Sequence, residues 1–132
     1  MPYDTVDRGK IEQMVKEFYT IIILDDLVGP FFIRALGRDL KNDKWYEHLN
    51  TLTNFWMLMM EGETKNYWGD PFPPHAFLGH LSAETFERWL ELFHGVVYRL
   101  FVPDIADKFY KKANTLAKQF QENLRDDEDE DW

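Results

Sequence analysis

The feature that most restricts the fold of this chain is a long run of large side chains at helical spacing. Between residues 45 and 60 they recur in steps of three and four, which places them on one face of an α-helix. A half-buried strand would need alternation at every second residue. The sequence therefore predicts a helix whose apolar face contains one polar member, His48. The stripe consists of Trp45, His48, Leu49, Leu52, Phe55, Trp56 and Met59.

Three more stripes with the same period predict three further long helices. They cover residues 11–22, 86–100 and 105–124. Tyr19 lies on the first of these stripes and Trp89 on the second, so each ring needs an internal partner for its polar tip. Ser82 is a suitable N-cap for the helix that contains Trp89. Pro103 suits the first turn of the last helix, because that turn needs no backbone N–H from it.

The segments between the stripes predict weaker structure. We expect the first long helix to end near residues 25–27. A short helical turn around Phe32 then follows and closes at Gly37. Asn42 or Asp43 is expected to cap the helix of the main stripe, since both side chains accept hydrogen bonds from free backbone N–H groups.

The pattern as a whole is that of an all-α protein with one domain, formed by residues 1–125. Residues 126–131 are all acidic, so the tail 126–132 is too charged to pack and is expected to be disordered. The net charge of the chain is −9. Because such a chain repels phosphate, neither nucleic acid nor an anionic membrane is expected as a partner.

The absence of cysteine excludes disulfides, iron–sulfur clusters and thiolate nucleophiles. It is consistent with a reducing compartment. No apolar run reaches the roughly 18 residues that span a bilayer. The N-terminus lacks a basic region followed by an apolar one, so no signal peptide is predicted. We therefore expect a cytoplasmic protein without contact with a membrane.

Residues 61–74 break the helical pattern with glycines and three prolines, while residues 75–81 are long enough for one or two helical turns. An irregular segment as long as 61–74 is uncommon inside a compact domain and is often functional. The prolines stiffen the approach to His75, and His80 follows five residues later. This spacing does not suit two metal ligands on one helix face, which lie four positions apart at i and i+4. Each histidine taken singly is either an interior residue or a ligand.

Aromatic residues make up 17% of the chain, with eleven Phe, six Tyr and five Trp. Tyr19, His48 and Trp89 each interrupt an apolar stripe on a different predicted helix. A flat, apolar, iron-containing ring would use one imidazole, aromatic walls and a few such donors. The alternative is an ordinary aromatic core in which the polar tips reach backbone carbonyls. At this level both interpretations stay open.

A series of short motifs adds a family resemblance over residues 10–125. The motifs are Phe18-Tyr19, Gly29-Pro30-Phe31-Phe32, Trp45-Tyr46-Glu47-His48, Asn54-Phe55-Trp56, Tyr67-Trp68-Gly69-Asp70-Pro71 ahead of His75, Phe86-Glu87-Arg88-Trp89-Leu90 and Leu92-Phe93. Each motif is weak alone, but their order and spacing are specific. In this order the chain resembles the group III branch of the truncated haemoglobins. Gly-Gly pairs near helix ends, which other branches use, do not occur.

The resemblance implies a two-over-two helical sandwich around haem b, which is iron protoporphyrin IX. By position in the family, His75 is the proximal iron ligand and Phe32 is the ring packed on the porphyrin. The residues expected beside a bound ligand are Tyr19, His48 and Trp89. Further haem-pocket residues are Leu52, Phe55, Trp56 and Phe93. Three roles stay open for His48, namely hydrogen-bond donor, gate and sixth iron ligand.

The resemblance also implies reversible binding of O2, CO and NO. Hydrogen bonds from Tyr19 and Trp89 to bound O2 imply slow release, which favours redox chemistry over oxygen transport. Such chemistry would be NO dioxygenation, a route of NO detoxification, or peroxidase-like turnover, with electrons from a reductase partner. No residue is assigned a catalytic role. An O2 carrier or sensor without turnover, and a haem-free helical interaction module, stay open as alternatives.

Overall fold

The described part of the chain consists of five α-helices and their connections. They are α1 (Arg8–Ile22), α2 (Gly29–Leu36), α3 (Asp43–Glu61), α4 (Ala83–Leu100) and α5 (Pro103–Glu130). The computed structural model describes residues 2–61 and 83–130, with side chains up to residue 119. Within these ranges no strand forms, and Tyr3 and Phe101 make an isolated bridge. The predicted all-α class is confirmed.

Two helix boundaries differ from the sequence prediction, and the Asp25 side chain lies in the turn between them. α1 ends at Ile22, and the predicted short turn is a helix of eight residues that begins at Gly29. The Asp25 carboxylate accepts hydrogen bonds from the N–H groups of Leu27 and Val28 at 3.1 and 2.9 Å. Both N–H groups belong to the turn that precedes Gly29, and no side-chain hydrogen bond caps α2 itself. The acidic side chain therefore holds the turn between α1 and α2.

The other helix ends follow local chemistry. Asn42 caps α3, as predicted, because its Oδ1 accepts the N–H of Trp45 at 2.8 Å. Its Nδ2 also donates to the carbonyl oxygen of Leu36 at 2.8 Å, which connects α3 to the end of α2. α5 begins at Pro103, as predicted. Ser82, the predicted cap of α4, lies outside the described residues.

The helices pack as two pairs. α1 packs on α3, α4 packs on α5, and α1 also contacts α4 and so joins the pairs. The stripes predicted from periodicity form the shared core. Its largest side chains with almost no exposure are Trp45, Phe93, Phe101 and Phe109. The arrangement agrees with the predicted two-over-two sandwich, and none of the described helices is long and apolar enough to span a membrane.

The backbone of α5 continues to Glu130, five residues into the acidic tail 126–132. The disorder expected of the tail 126–132 stays a prediction. The division of the chain at residue 125 stays a prediction.

Two glycines offer a matched test of the packing. A Cβ added at Gly29 would lie 2.8 Å from the carbonyl oxygen of Ile23 and 2.9 Å from that of Ile22. Because these are backbone atoms, we expect Gly29→Ala to lower the free energy of unfolding by roughly 1–3 kcal/mol. A Cβ at Gly95 meets no atom within 4 Å. Gly95→Ala should raise the free energy by about 0.5–1 kcal/mol, because alanine favours a helix interior.

Urea unfolding followed by circular dichroism measures both changes on the same scale. Opposite signs for the two substitutions are the expected result. A Gly29→Ala variant as stable as the parent protein would contradict the close approach of α2 to the end of α1.

Candidate functional site

Three polar-tipped side chains from three helices meet beside the core. Tyr19 from α1 is at the centre and is only 3% exposed. Its ring lies against that of His48 from α3, with centroids 5.5 Å apart and planes at 88°. Its hydroxyl takes part in a side-chain hydrogen bond with Trp89 from α4. The three residues singled out from the sequence are thus joined through Tyr19.

The chemistry of the Tyr19 hydroxyl follows from its burial and its partner. Burial raises the pKa of Tyr19, and the hydrogen bond with Trp89 opposes this rise without cancelling it. An indole N–H can only donate, so the Tyr19 oxygen is the acceptor in this bond. The phenolic hydrogen is left for a second acceptor. The site therefore contains a neutral O–H donor at physiological pH.

A ring of aromatic side chains encloses this donor. The centroid of the Tyr19 ring is 5.0 Å from that of Phe18, 5.4 Å from that of Phe32 and 5.7 Å from that of Trp45. The Trp45 indole donates to the carbonyl oxygen of Gly37 at 2.7 Å, which orients the ring. These contacts exclude water from the Tyr19 hydroxyl and make its hydrogen bonds stronger than in solvent.

His48 lies at the margin of this enclosure. Its imidazole is partly buried and contacts Trp45 at 5.6 Å and Phe32 at 6.3 Å, in addition to Tyr19. The predicted position of His48 inside the apolar face of α3 is confirmed. The imidazole is more exposed than Tyr19 and remains in direct ring contact with it.

A column of stacked rings leads from Trp89 into the core. Trp89 stacks on Phe93 at 5.6 Å and 7°, and Phe93 stacks on Trp56 at 5.4 Å and 14°. Beside the column is an apolar cavity of about 20 Å³ that also borders Tyr19, Leu52 and Phe55. This volume admits roughly one water-sized molecule. The haem-pocket role predicted for Leu52, Phe55, Trp56 and Phe93 stays a prediction.

An ion pair joins the turn after α1 to α4 next to this site. The Arg88 Nε donates to Asp25 Oδ1 at 2.8 Å. Burial alone would raise the pKa of Asp25, but hydrogen bonds from Val28, Arg88 and Leu27 together hold it below its ordinary value. The carboxylate is therefore ionised in the folded protein at neutral pH.

The sequence interpretation missed two of these neighbours and left others untested. Phe18 and Trp45 were not assigned to the site, although Trp45 precedes His48 by three residues on the same stripe and Phe18 precedes Tyr19. His75 and His80 lie outside the described residues. Among the described residues, no group of three or more His, Cys, Asp or Glu side chains is arranged to hold a metal ion.

The remaining histidine, His94 on α4, is exposed and stacks on Tyr98 with ring centroids 4.2 Å apart.

Comparison with known proteins identifies the family, although no family model matches the chain. The group 3 truncated hemoglobin ctb of Campylobacter jejuni is 30% identical over 124 residues, which are 94% of this chain and 95% of that protein. The crystal structure of group III truncated hemoglobin from Campylobacter jejuni matches with a TM-score of 0.82 at 30% identity, over 94% of this chain and 95% of that one. The chain is a member of the group III truncated haemoglobins.

Proposed function

We propose that this protein binds haem b and uses it to bind O2, CO and NO reversibly. The observation that carries the proposal is the environment of Tyr19. This residue is buried, its hydroxyl is hydrogen-bonded with Trp89, and its ring contacts that of His48. A neutral donor held in an apolar enclosure suits a small, polarisable ligand. The Campylobacter jejuni relative is named a haemoglobin, which supports the same conclusion.

The donor set fits an iron held in a flat ring. Such a group needs apolar surfaces, one axial imidazole and a few donors on the open face. Tyr19 supplies the donor, Trp89 donates to its oxygen, and Phe32 supplies a buried aromatic face next to Tyr19. We propose His75 as the axial ligand, from the family resemblance. A metal ion held only by side chains would need several ligands together, and the described residues contain no such cluster.

When bound, ferrous haem would supply the atom that takes up O2, CO or NO. The chain supplies the surroundings of that ligand. Tyr19 stays protonated because burial raises its pKa, so it donates a hydrogen and does not repel negative charge. Trp89 donates to the Tyr19 oxygen, and hydrogen bonds in series polarise each other. The surrounding rings keep water away from this pair.

We further propose redox chemistry in place of oxygen delivery. Bound O2 carries partial negative charge, and charge-assisted hydrogen bonds to it slow its departure. Slow release suits a reaction in which NO, O2 and one electron give nitrate, or the reduction of peroxide. The electron would come from a reductase partner. Rates of NO consumption in the presence of O2 test this, and fast O2 release without NO turnover would favour a carrier or sensor.

The absorption spectrum of the ferrous protein with and without CO is the first experiment. We expect a Soret band after addition of haem and a shift of that band with CO. A protein that takes up no haem would contradict the proposal and favour a haem-free interaction module.

His48 is proposed as a gate, because its partly exposed ring lies against the ring of the buried Tyr19. Removing a bulky ring from the ligand's path should increase the association rate. We expect His48→Ala to bind CO severalfold faster in flash photolysis and to keep the ferric spin state of the parent protein. Tyr46→Ala is the control, because Tyr46 is on the same helix but 72% exposed.

A low-spin ferric spectrum that is lost in His48→Ala would contradict the gate. That result would instead identify His48 as a sixth iron ligand.

A further inference from the structure

We infer that Asp25 is a positioning residue for Trp89, acting through Arg88. This inference rests on the proposed function, in which the Trp89 indole polarises the Tyr19 hydroxyl. The observation behind it is that α4 is attached to the end of α1 and its turn by two polar contacts from adjacent residues. The Trp89 ring lies edge-on to the Phe18 ring of α1 at 5.3 Å and its indole is the hydrogen-bond partner of Tyr19, while Arg88 bonds with Asp25.

Asp25 is held firmly enough to act as a fixed point. Its side chain is 8% exposed, and both carboxylate oxygens are occupied. Oδ2 accepts the N–H groups of Leu27 and Val28, while Oδ1 accepts the Arg88 Nε at 2.8 Å. The carboxylate cannot rotate without losing several of these bonds at once. Arg88 is therefore attached to the start of α2 as well as to the turn.

The Arg88–Asp25 bond restricts a movement of α4 that the Trp89–Tyr19 contact alone permits. Adjacent residues of an α-helix differ in direction by about 100° around its axis. A helix held at Trp89 alone can still rotate or slide by a small amount about that contact. With Arg88 held in a different direction, either motion stretches one of the two bonds. The ion pair thus keeps the indole N–H directed at the Tyr19 oxygen.

Two other ion pairs lack this geometry and provide controls. Arg88 also binds Glu91 at 3.0 Å, but both residues are on α4, so this pair cannot orient α4 relative to α1. Arg99 binds Glu17 at 3.6 Å and does join α4 to α1. It is eleven residues from Arg88, roughly 16 Å along the helix.

The test compares Asp25→Asn and Arg88→Gln with Glu91→Gln and Arg99→Gln in the haem-loaded protein. The first readout is the O2 dissociation rate. The second is the ¹H–¹⁵N resonance of the Trp89 indole, which Trp89→Phe identifies by its loss. We expect Asp25→Asn and Arg88→Gln to increase the rate roughly 3- to 10-fold and to shift the resonance. The two controls should leave both readouts at parent values.

The same change in a Trp89→Phe background separates positioning from general destabilisation. If Asp25 acts through Trp89, Asp25→Asn adds no further increase in that background. The inference is overturned if Asp25→Asn increases the O2 dissociation rate just as much in the Trp89→Phe background. It is also overturned if Asp25→Asn alone changes neither this rate nor the Trp89 indole resonance. If Asp25→Asn does not fold, Arg88→Gln is measured in its place. Arg88 is 43% exposed, so its substitution is expected to leave the fold intact. A Trp89→Phe protein with the parent O2 rate would instead overturn the proposed role of Trp89 itself.

Discussion

A His75→Ala variant is expected to lose stable haem binding. The axial imidazole is the protein's bond to iron in this type of site, and its second nitrogen is normally held by a backbone carbonyl or water. Loss of such a supporting partner alone costs about 10–100-fold in metal affinity. Removal of the ligand should therefore weaken haem retention by at least roughly 100-fold. Haem transfer to an excess of a strong haem acceptor measures this loss.

His80→Ala is the matched control, because it changes the other histidine of the same segment. It should keep the parent spectrum and the parent rate of haem transfer. Added imidazole should restore a ferrous spectrum in His75→Ala by replacing the missing ligand. If His80→Ala loses haem and His75→Ala keeps it, the assignment of the axial ligand is wrong.

The second large effect is expected at Tyr19. Tyr19→Phe should increase the O2 dissociation rate roughly 10- to 100-fold, since a hydrogen bond to a charged partner contributes about 1.5–3 kcal/mol. The substitution removes a hydroxyl and leaves the ring contacts with Phe18, Phe32 and His48 in place. Stopped-flow displacement of O2 by CO gives the rate.

CO provides the internal control for this experiment, because it carries less charge than bound O2. Its dissociation should change little in Tyr19→Phe. Trp89→Phe should have a smaller effect on O2, and the double variant should be less than additive, because Trp89 acts through the Tyr19 oxygen. If Tyr19→Phe increased the dissociation rates of O2 and CO equally, the cause would be a change in the room available to the ligand. That result would contradict the hydrogen-bond role of Tyr19.

Much of the fold can be predicted from periodicity, because helix formation is a local property of the chain. The stripes of α1, α3, α4 and α5 were all found, together with the burial of Tyr19 and Trp45. α2 was underestimated, since eight residues are too few to show a period. The turn before it is held by the Asp25 side chain, and no stripe predicts that turn.

The sequence alone specifies which residues form helices and which helix faces are apolar. It also places a polar tip on each of three faces, at Tyr19, His48 and Trp89. Only the packed structure shows that these tips share one enclosure, with Tyr19 and His48 rings 5.5 Å apart. The same holds for Asp25 and Arg88, which are 63 residues apart in the chain. Such contacts depend on how whole helices cross, and a pattern that repeats within one helix contains no information about that crossing.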